Sequence, residues 1–293
     1  MRLGTCRYQN QNYVFIEQDD HFILPALDAT FAQAGWQDLQ RLIEQNTDFN
    51  ATLNQVTANM RVAAKDVQWL APIPRPHKNI MCMGLNYFEH IEEALNLTGK
   101  TAKKPAYPIV FTKSVTSVIG HETTIPYDPD TCSQLDWEAE LGVIIGKTGR
   151  KISPENALDY VFGYTVINDL SARDIQLNHK QYFLGKSLDG GCPIGPVIVT
   201  KDEIPDPQNL KIACRVNRVT KQDANTRYML FKIAEIIATL SRAMPLEAGD
   251  IIATGTPSGV GFARNPPEYL QPNDVVECEV EKIGVLRNRI GQT

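Results

Sequence analysis

Apolar residues along this chain fall mostly into short runs and alternations, and recur every three or four positions in only a few places. Tyr13-Val14-Phe15-Ile16 and Phe22-Ile23-Leu24, parted by the polar Gln18-Asp19-Asp20, read as short strands joined by a turn. Trp36, Leu39, Leu42 and Ile43 return at helical spacing, and Leu53, Val56 and Met60 do so less regularly. Leu70-Ala71-Pro72-Ile73-Pro74-Arg75-Pro76 then marks a boundary, because prolines at alternate positions cannot be helix interior and favour extended chain. The pattern therefore predicts a small α+β N-terminal domain over residues 1–70, for capping or dimerisation, and a larger domain over residues 71–293.

Strands dominate the larger domain. Asn79 to Gly84, Ile109 to Lys113, Gly142 to Gly146, Val161 to Asp169, Leu210 to Val216, Ile251 to Thr254 and Val275 to Val280 are apolar runs or alternations of strand length. Helices are few. Ser153-Pro154-Glu155 carries a start signal, with a serine cap, proline at the first position and an acid in the first turn. Ile233, Ile236, Ile237 and Leu240 form one amphipathic face. The fold class is mainly β with some α.

Composition narrows the setting. At 43% hydrophobic and 22% charged residues the chain is ordinary globular material with a sizeable core. A net charge of −5, with no basic block, excludes nucleic acid and anionic membrane as expected partners. No leader pattern opens the chain and no apolar run reaches membrane-spanning length, so a cytoplasmic protein is expected. The six cysteines are scattered without a C-x-x-C pair and read as reduced core thiols.

Candidate chemistry begins at Asp136-Trp137-Glu138-Ala139-Glu140-Leu141. On a continuous strand Asp136, Glu138 and Glu140 share one face. Two readings stand here: a half-buried strand with a solvated acidic face, or a divalent-cation site. The run continues into an apolar strand, and Asn168-Asp169-Leu170-Ser171-Ala172-Arg173-Asp174 ends a second one about one supersecondary unit downstream. Two buried strands with carboxylates at an end have the character of a metal site.

Further candidates are spread along the chain. His90 and Glu93, three apart, would meet on one helix face, either as a surface ion pair or as a base with its orienting carboxylate. The segment from Tyr87 to Lys104 combines a short amphipathic helix with a polar loop and is expected to act as a mobile lid. Lys186, in Phe183-Leu184-Gly185-Lys186, either meets an anionic substrate or is a solvated loop charge; His179 and Lys180 read as surface residues. Thr254-Gly255-Thr256-Pro257-Ser258-Gly259-Val260-Gly261 has no lysine after its glycines, so it is no phosphate loop. A tight turn offering backbone N–H groups and the Thr256 hydroxyl to a carboxylate fits it better.

Taken together, these motifs and Gly84-Leu85-Asn86-Tyr87-Phe88-Glu89-His90 resemble, in order, the fumarylacetoacetate hydrolase family over residues 71–293. The N-terminal unit and His179-Lys180-Gln181-Tyr182-Phe183 look most like bacterial members that decarboxylate oxaloacetate, and the C-terminal half also looks like oxaloacetate tautomerases. The resemblance implies a mixed β-sandwich roll, a homodimer, and Mg²⁺ or Mn²⁺ held by Glu138, Glu140 and Asp169. It also implies a lid dyad at His90 and Glu93, a catalytic lysine at Lys186, and substrate contacts at Arg173, Gln176 and Thr256. Where the family's founding hydrolases carry a further aspartate this chain offers Asn86, so water is expected as the remaining ligand.

The resemblance further implies a short 2-oxo acid as substrate, reacting through an enolate. Loss of a carboxylate would be oxaloacetate decarboxylation, placed first; water attack on a distal ketone would be acylpyruvate hydrolysis; loss of a proton alone would be tautomerisation. An isomerase or hydratase of aromatic-catabolic dienoates is a rival on the same fold, and a binding module without turnover is the rival from another class.

Overall fold

The computed structural model describes residues 1–96 and 101–292. Its centre is the strand Ala139–Ile145, whose sequence AELGVII is buried along its whole length. Such a run suits a strand covered on both faces. Val161–Asn168 and Ile251–Ala253 flank it, both antiparallel. Beyond Ile251–Ala253 lie Ile80–Gly84, which runs parallel to it, and the edge strand Ile109–Lys113. On the other side Cys192–Thr200 follows Val161–Asn168.

The N-terminal strands continue this sheet. Arg2–Tyr8 pairs antiparallel with Cys192–Thr200 through Arg2 opposite Val199 and Leu3 opposite Ile198, and Gln11–Gln18, His21–Ile23 and Arg61–Ala63 extend it in turn. Phe15 stacks on Phe22 at 3.9 Å, with Trp69 edge-on to both. Three short helices, Ala29–Gln33, Leu39–Glu44 and Phe49–Leu53, each begin on an aspartate (Asp28, Asp38, Asp48) whose carboxylate accepts a backbone N–H of the first turn.

A second sheet holds Val219–Asn225, Lys211–Val216, Val275–Val280, Gly284–Ile290 and Thr124–Ile125. It packs on the first, with Val275–Val280 and Gly284–Ile290 against Val161–Asn168 and Cys192–Thr200, and their apolar faces make one continuous core. Ile233–Ala243 buries Ile233, Ile236, Ile237 and Leu240, as its periodicity predicts. Pro154–Tyr160 winds as a 3₁₀ helix behind its proline. The fold is mainly β with some α, as the alternation predicts. All six thiols are buried and unpaired, Cys214 facing Cys278 at 4.0 Å. Among the described residues no helix is long and apolar enough to cross a membrane. The lid expectation falls on the helix Phe88–Asn96 and on residues 97–100, which lie outside the described residues.

His121 gives the fold a pH dependence. Its ring packs edge-on to Trp69 at 5.0 Å, and Nδ1 accepts the Arg287 backbone N–H at 3.1 Å, which requires the neutral form. Burial lowers its pKa below the usual histidine value; Glu122 opposes this and Arg287 adds to it. The unfolded chain therefore takes up this proton first as pH falls. The stability His121 contributes is present above its ordinary pKa of about 6.5 and is lost as pH drops through the lower folded value. Urea midpoints of wild type and His121→Gln, compared at pH 7.5 and 5.5, should differ in slope, with the variant less pH-sensitive. Equal slopes would remove His121 from the account.

Candidate metal centre and active site

Strand pairing assembles the centre. Ala139 lies opposite Asn168, so Glu138, one residue before, and Asp169, one residue after, come together at the end of the ladder. Asp169 N–H donates to Glu138 O at 2.9 Å, and the Asn168 side-chain oxygen accepts Glu138 N–H at 3.1 Å. Glu140 follows on the same face by the two-residue repeat. One carboxylate oxygen from each of Glu138, Glu140 and Asp169 lies within 4.8 Å of the others, and all three residues are buried.

Three buried cations serve these acids unequally. Lys186 Nζ donates to Glu138 at 2.7 Å and to Asp169 at 2.9 Å. Arg173 donates through Nη2 to Glu138 at 2.6 Å, through Nε to Asp136 at 2.8 Å, and through Nη1 to Gln176 at 2.9 Å. Lys113, with no exposed surface, donates to Asp169 at 2.7 Å and to Leu170 O at 2.9 Å. Burial works against ionisation of Glu138, but Lys186 and then Arg173 outweigh it and pull the carboxyl below its ordinary range. Burial likewise opposes the charge on Lys186, and Asp169 and Glu138 hold its proton on.

Glu140 is different. Among the described residues its one hydrogen bond comes from Gly255 N–H at 2.7 Å, and no basic side chain forms an ion pair with it. Burial, then repulsion from Asp169 and Glu138, raises its carboxyl well above the ordinary value. Counting Asp136, four carboxylates face three cations. A buried acid in that position needs a proton or a cation between it and its neighbours. Three converging oxygens, with room for waters, suit a hard divalent ion, so the residues present fit a metal of that class.

Asp136 departs from the continuous-strand expectation. The ladder breaks after it: Leu135–Asp136 pairs with Ser171–Ala172 in a separate ribbon, and a new strand begins at Ala139. Its carboxylate turns away to Arg173 Nε, Trp137 N–H, Gly261 N–H and Phe262 N–H.

The helix Phe88–Asn96 brings His90 over the centre. His90 is 5% exposed, and its Nδ1 lies 2.8 Å from Glu93 Oε1. Gly259 N–H donates to Glu93 Oε2 at 2.8 Å. The 254–261 turn thus offers backbone N–H groups to three carboxylates, at Glu140, Glu93 and Asp136. The Thr256 hydroxyl goes elsewhere, donating to Ala139 O at 2.9 Å and accepting from Gln222 at 2.8 Å. The Asn86 amide clamps Phe231 and Thr254: Nδ2 donates to both carbonyls and Oδ1 accepts Phe231 N–H. Its hydrogen-bonding groups are spent on the backbone, 1% exposed.

A cavity of about 310 Å³ opens onto the centre. His90, Glu138, Glu140, Arg173, Gln176, Lys186 and Thr256 line it; Glu93 and Asp169 stand behind the wall. Lys186 is therefore no solvated loop charge, whereas His179 and Lys180 are exposed. Met83, Phe111, Leu177, Tyr182 and Phe262 make much of the remaining wall apolar. Reasoning from sequence missed Lys113 and Gln222. The one available signal for Lys113 was a lysine closing an otherwise apolar strand.

Known proteins are similar to this chain in sequence and fold. The model of the fumarylacetoacetate (FAA) hydrolase C-terminal domain matches residues 79–291. Oxaloacetate tautomerase YisK of Bacillus subtilis (strain 168) is 48% identical over 238 residues, 81% of this chain and 78% of the relative. The fumarylacetoacetate hydrolase EaFAH of the psychrophile Exiguobacterium antarcticum superposes with a TM-score of 0.85 at 38% identity, covering both chains fully. Maleylpyruvate hydrolase of Sphingobium sp. SYK-6, solved with manganese(II) and pyruvate, superposes with a TM-score of 0.76 at 28% identity, again over both whole chains. With its strand-end carboxylates and the turn that faces them inside the matched span, the chain belongs to the fumarylacetoacetate hydrolase family.

Proposed function

We propose that this protein is a divalent-metal-dependent enzyme that enolises a short 2-oxo dicarboxylate, oxaloacetate first, and so interconverts its keto and enol forms. One observation carries the reading: a buried acid held in no ion pair among the described residues, Glu140, completes a three-carboxylate cluster bordering the same cavity as a carboxylate-held histidine. Glu138, Glu140 and Asp169 would hold Mg²⁺ or Mn²⁺. When bound, such an ion supplies Lewis acidity toward the 2-oxo group.

The chain's own residues supply the rest. With Nδ1–H given to Glu93, His90 keeps Nε2 free to take a proton from the carbon next to the ketone and to return it. Lys186 has three N–H donors; two are spent on carboxylates, and among the described residues the third has Asp169 O at 3.5 Å, which leaves it for an oxyanion. Arg173 retains an N–H on Nη1 beyond its bond to Gln176, which places both residues for a substrate carboxylate. Thr256 would contribute through its place in the wall, since its hydroxyl is committed.

Tautomerisation is placed ahead of decarboxylation because the latter needs no base, whereas a buried, oriented histidine serves proton transfer. The name of the relative from B. subtilis supports the same order. Acylpyruvate hydrolysis is the second reading, favoured by the apolar wall of Met83, Phe111, Leu177, Tyr182 and Phe262.

The test follows ketonisation of enol oxaloacetate by its ultraviolet absorbance, with carbon-13 NMR of oxaloacetate and acetylpyruvate alongside. The expected result is metal-dependent ketonisation outpacing CO₂ release, lowered on the order of 10²–10⁴-fold in His90→Ala. CO₂ release that dominates and survives the substitution would restore decarboxylation. Faster formation of acetate from acetylpyruvate, lost in the variant, would make the protein a hydrolase.

A further inference from the structure

Asp136 opens the acidic motif yet is not part of the three-carboxylate cluster, and its burial is complete. Its two oxygens accept four hydrogen bonds: Oδ1 from Trp137 N–H at 2.8 Å and Gly261 N–H at 2.7 Å, Oδ2 from Arg173 Nε at 2.8 Å and Phe262 N–H at 3.1 Å. That uses the whole acceptor capacity of a carboxylate. Three of the donors are backbone groups, two of them on the turn that faces the helix Phe88–Asn96.

That turn is held from both sides. Trp137, the neighbour of Asp136, donates its indole N–H to Gly259 O at 3.1 Å. Across the turn, Gly259 N–H donates to Glu93 Oε2 at 2.8 Å, and the Ser258 hydroxyl to Glu89 at 3.2 Å. Gly259 sits at φ +102, where a Cβ would lie 2.1 Å from Lys221 O, so the turn has little room to shift. The connection from Asp136 to the dyad is short: Gly261 and Phe262 N–H, two residues of backbone, Gly259 N–H, Glu93, then the ring of His90.

We propose that Asp136 is a positioning residue for the proton-transfer step: it fixes the 259–262 turn so that Gly259 N–H sets Glu93, and Glu93 sets the His90 ring. The proposal rests on the reading of His90 as the group that moves the proton. A carboxylate is needed because every group facing it is a donor. Asn at this position would turn an NH₂ toward two of them, trading attraction for repulsion at one end of the turn.

The experiment compares Asp136→Asn with wild type in Mg²⁺ buffer, using the nitrogen-15 resonances of the His90 ring and a double-mutant cycle with His90→Ala. Five histidines make the resonance assignable. In Asp136→Asn the His90 Nδ1 signal should move toward its position in Glu93→Ala, and kcat should fall roughly 10- to 100-fold, the scale of a displaced catalytic group. Mg²⁺ affinity should stay within about threefold, and in the His90→Ala background the same substitution should change kcat less than about twofold. If Asp136→Asn does not fold, Asp136→Glu carries the test without changing charge, because the longer side chain moves the carboxylate off Gly261 N–H and Phe262 N–H. An unmoved His90 resonance in a folded variant, an equal loss in the His90→Ala background, or loss of Mg²⁺ overturns the proposal. His90→Ala that leaves wild-type turnover intact instead overturns the reading of the site, while the resonance still reports on Asp136.

Discussion

Glu140→Gln is expected to abolish divalent-cation binding and lower turnover on the order of 10³-fold, while leaving the chain folded and more stable than wild type in chelator. The two effects have one cause. Glu140 is 1% exposed and repelled by Asp169 and Glu138, which the nearby charge of Lys186 and the Gly255 N–H offset only in part. Glutamine retains an oxygen for that N–H and removes the repulsion, so the metal-free chain gains. The same change removes one of three ligands. Wild type should rise in Tm as Mg²⁺ or Mn²⁺ is added, by mass action on the folded state, and Glu140→Gln should not respond. Glu138→Gln is a poorer probe, because Lys186 and Arg173 both lean on Glu138 and its removal disturbs them as well. Thermal melts with EDTA and with metal, together with metal analysis, check the prediction. Wild-type metal content in the variant, or a lower Tm in EDTA, would place the cation elsewhere.

Lys113→Met is expected to cost about 3–5 kcal/mol of stability, the usual penalty for stripping one partner from a buried ion pair. The lysine has no exposed surface, and its ammonium joins Asp169 to Leu170 O. Without it Asp169 keeps Lys186 alone, a cation it already shares with Glu138. Adding Asp169→Asn should recover part of the loss, because the uncompensated charge is then gone. Urea unfolding of the two single variants and the double variant measures the coupling. Additive losses would mean that Lys113 acts through packing of its stem and not through Asp169.

These two residues also mark how far the sequence could be read. Glu138 and Glu140 were legible because a two-residue repeat on an apolar strand fixes their common face, and Asp169 because it closes the next apolar run. That His90 and Glu93 could meet was legible from helical spacing, which left a surface ion pair open; that His90 is buried was not. Lys113 was not, since its partner lies 56 residues away and nothing local announces the pairing. Asp136 misled for a related reason: strand periodicity holds only while the ladder continues, and here it stops at Trp137. The tight turn around Thr256 pointed its hydroxyl to a carboxylate, yet Ala139 O and Gln222 claim it. Strands were visible throughout the chain, but their lateral order was not, because partners such as Arg2–Tyr8 and Cys192–Thr200 are joined by no local signal.

That last pairing bears on how the chain is made. Arg2–Tyr8 meets a strand that leaves the ribosome almost at the two-hundredth residue, since Met1 and Thr200 are 199 positions apart where they touch. At synthesis rates of about 5–20 residues per second the first hairpin waits roughly 10–40 s for its neighbour. Throughout that interval the Arg2–Leu3 end of one margin of Arg2–Tyr8 stands open, because Gln68–Trp69 covers only its Cys6–Arg7 end. An open margin of that kind recruits whatever strand is nearest, so nascent chains on one messenger are exposed to each other until Cys192–Thr200 arrives. Slow translation between Arg2–Tyr8 and Cys192–Thr200 should thus lower soluble yield, whereas slowing after Cys192–Thr200 should not.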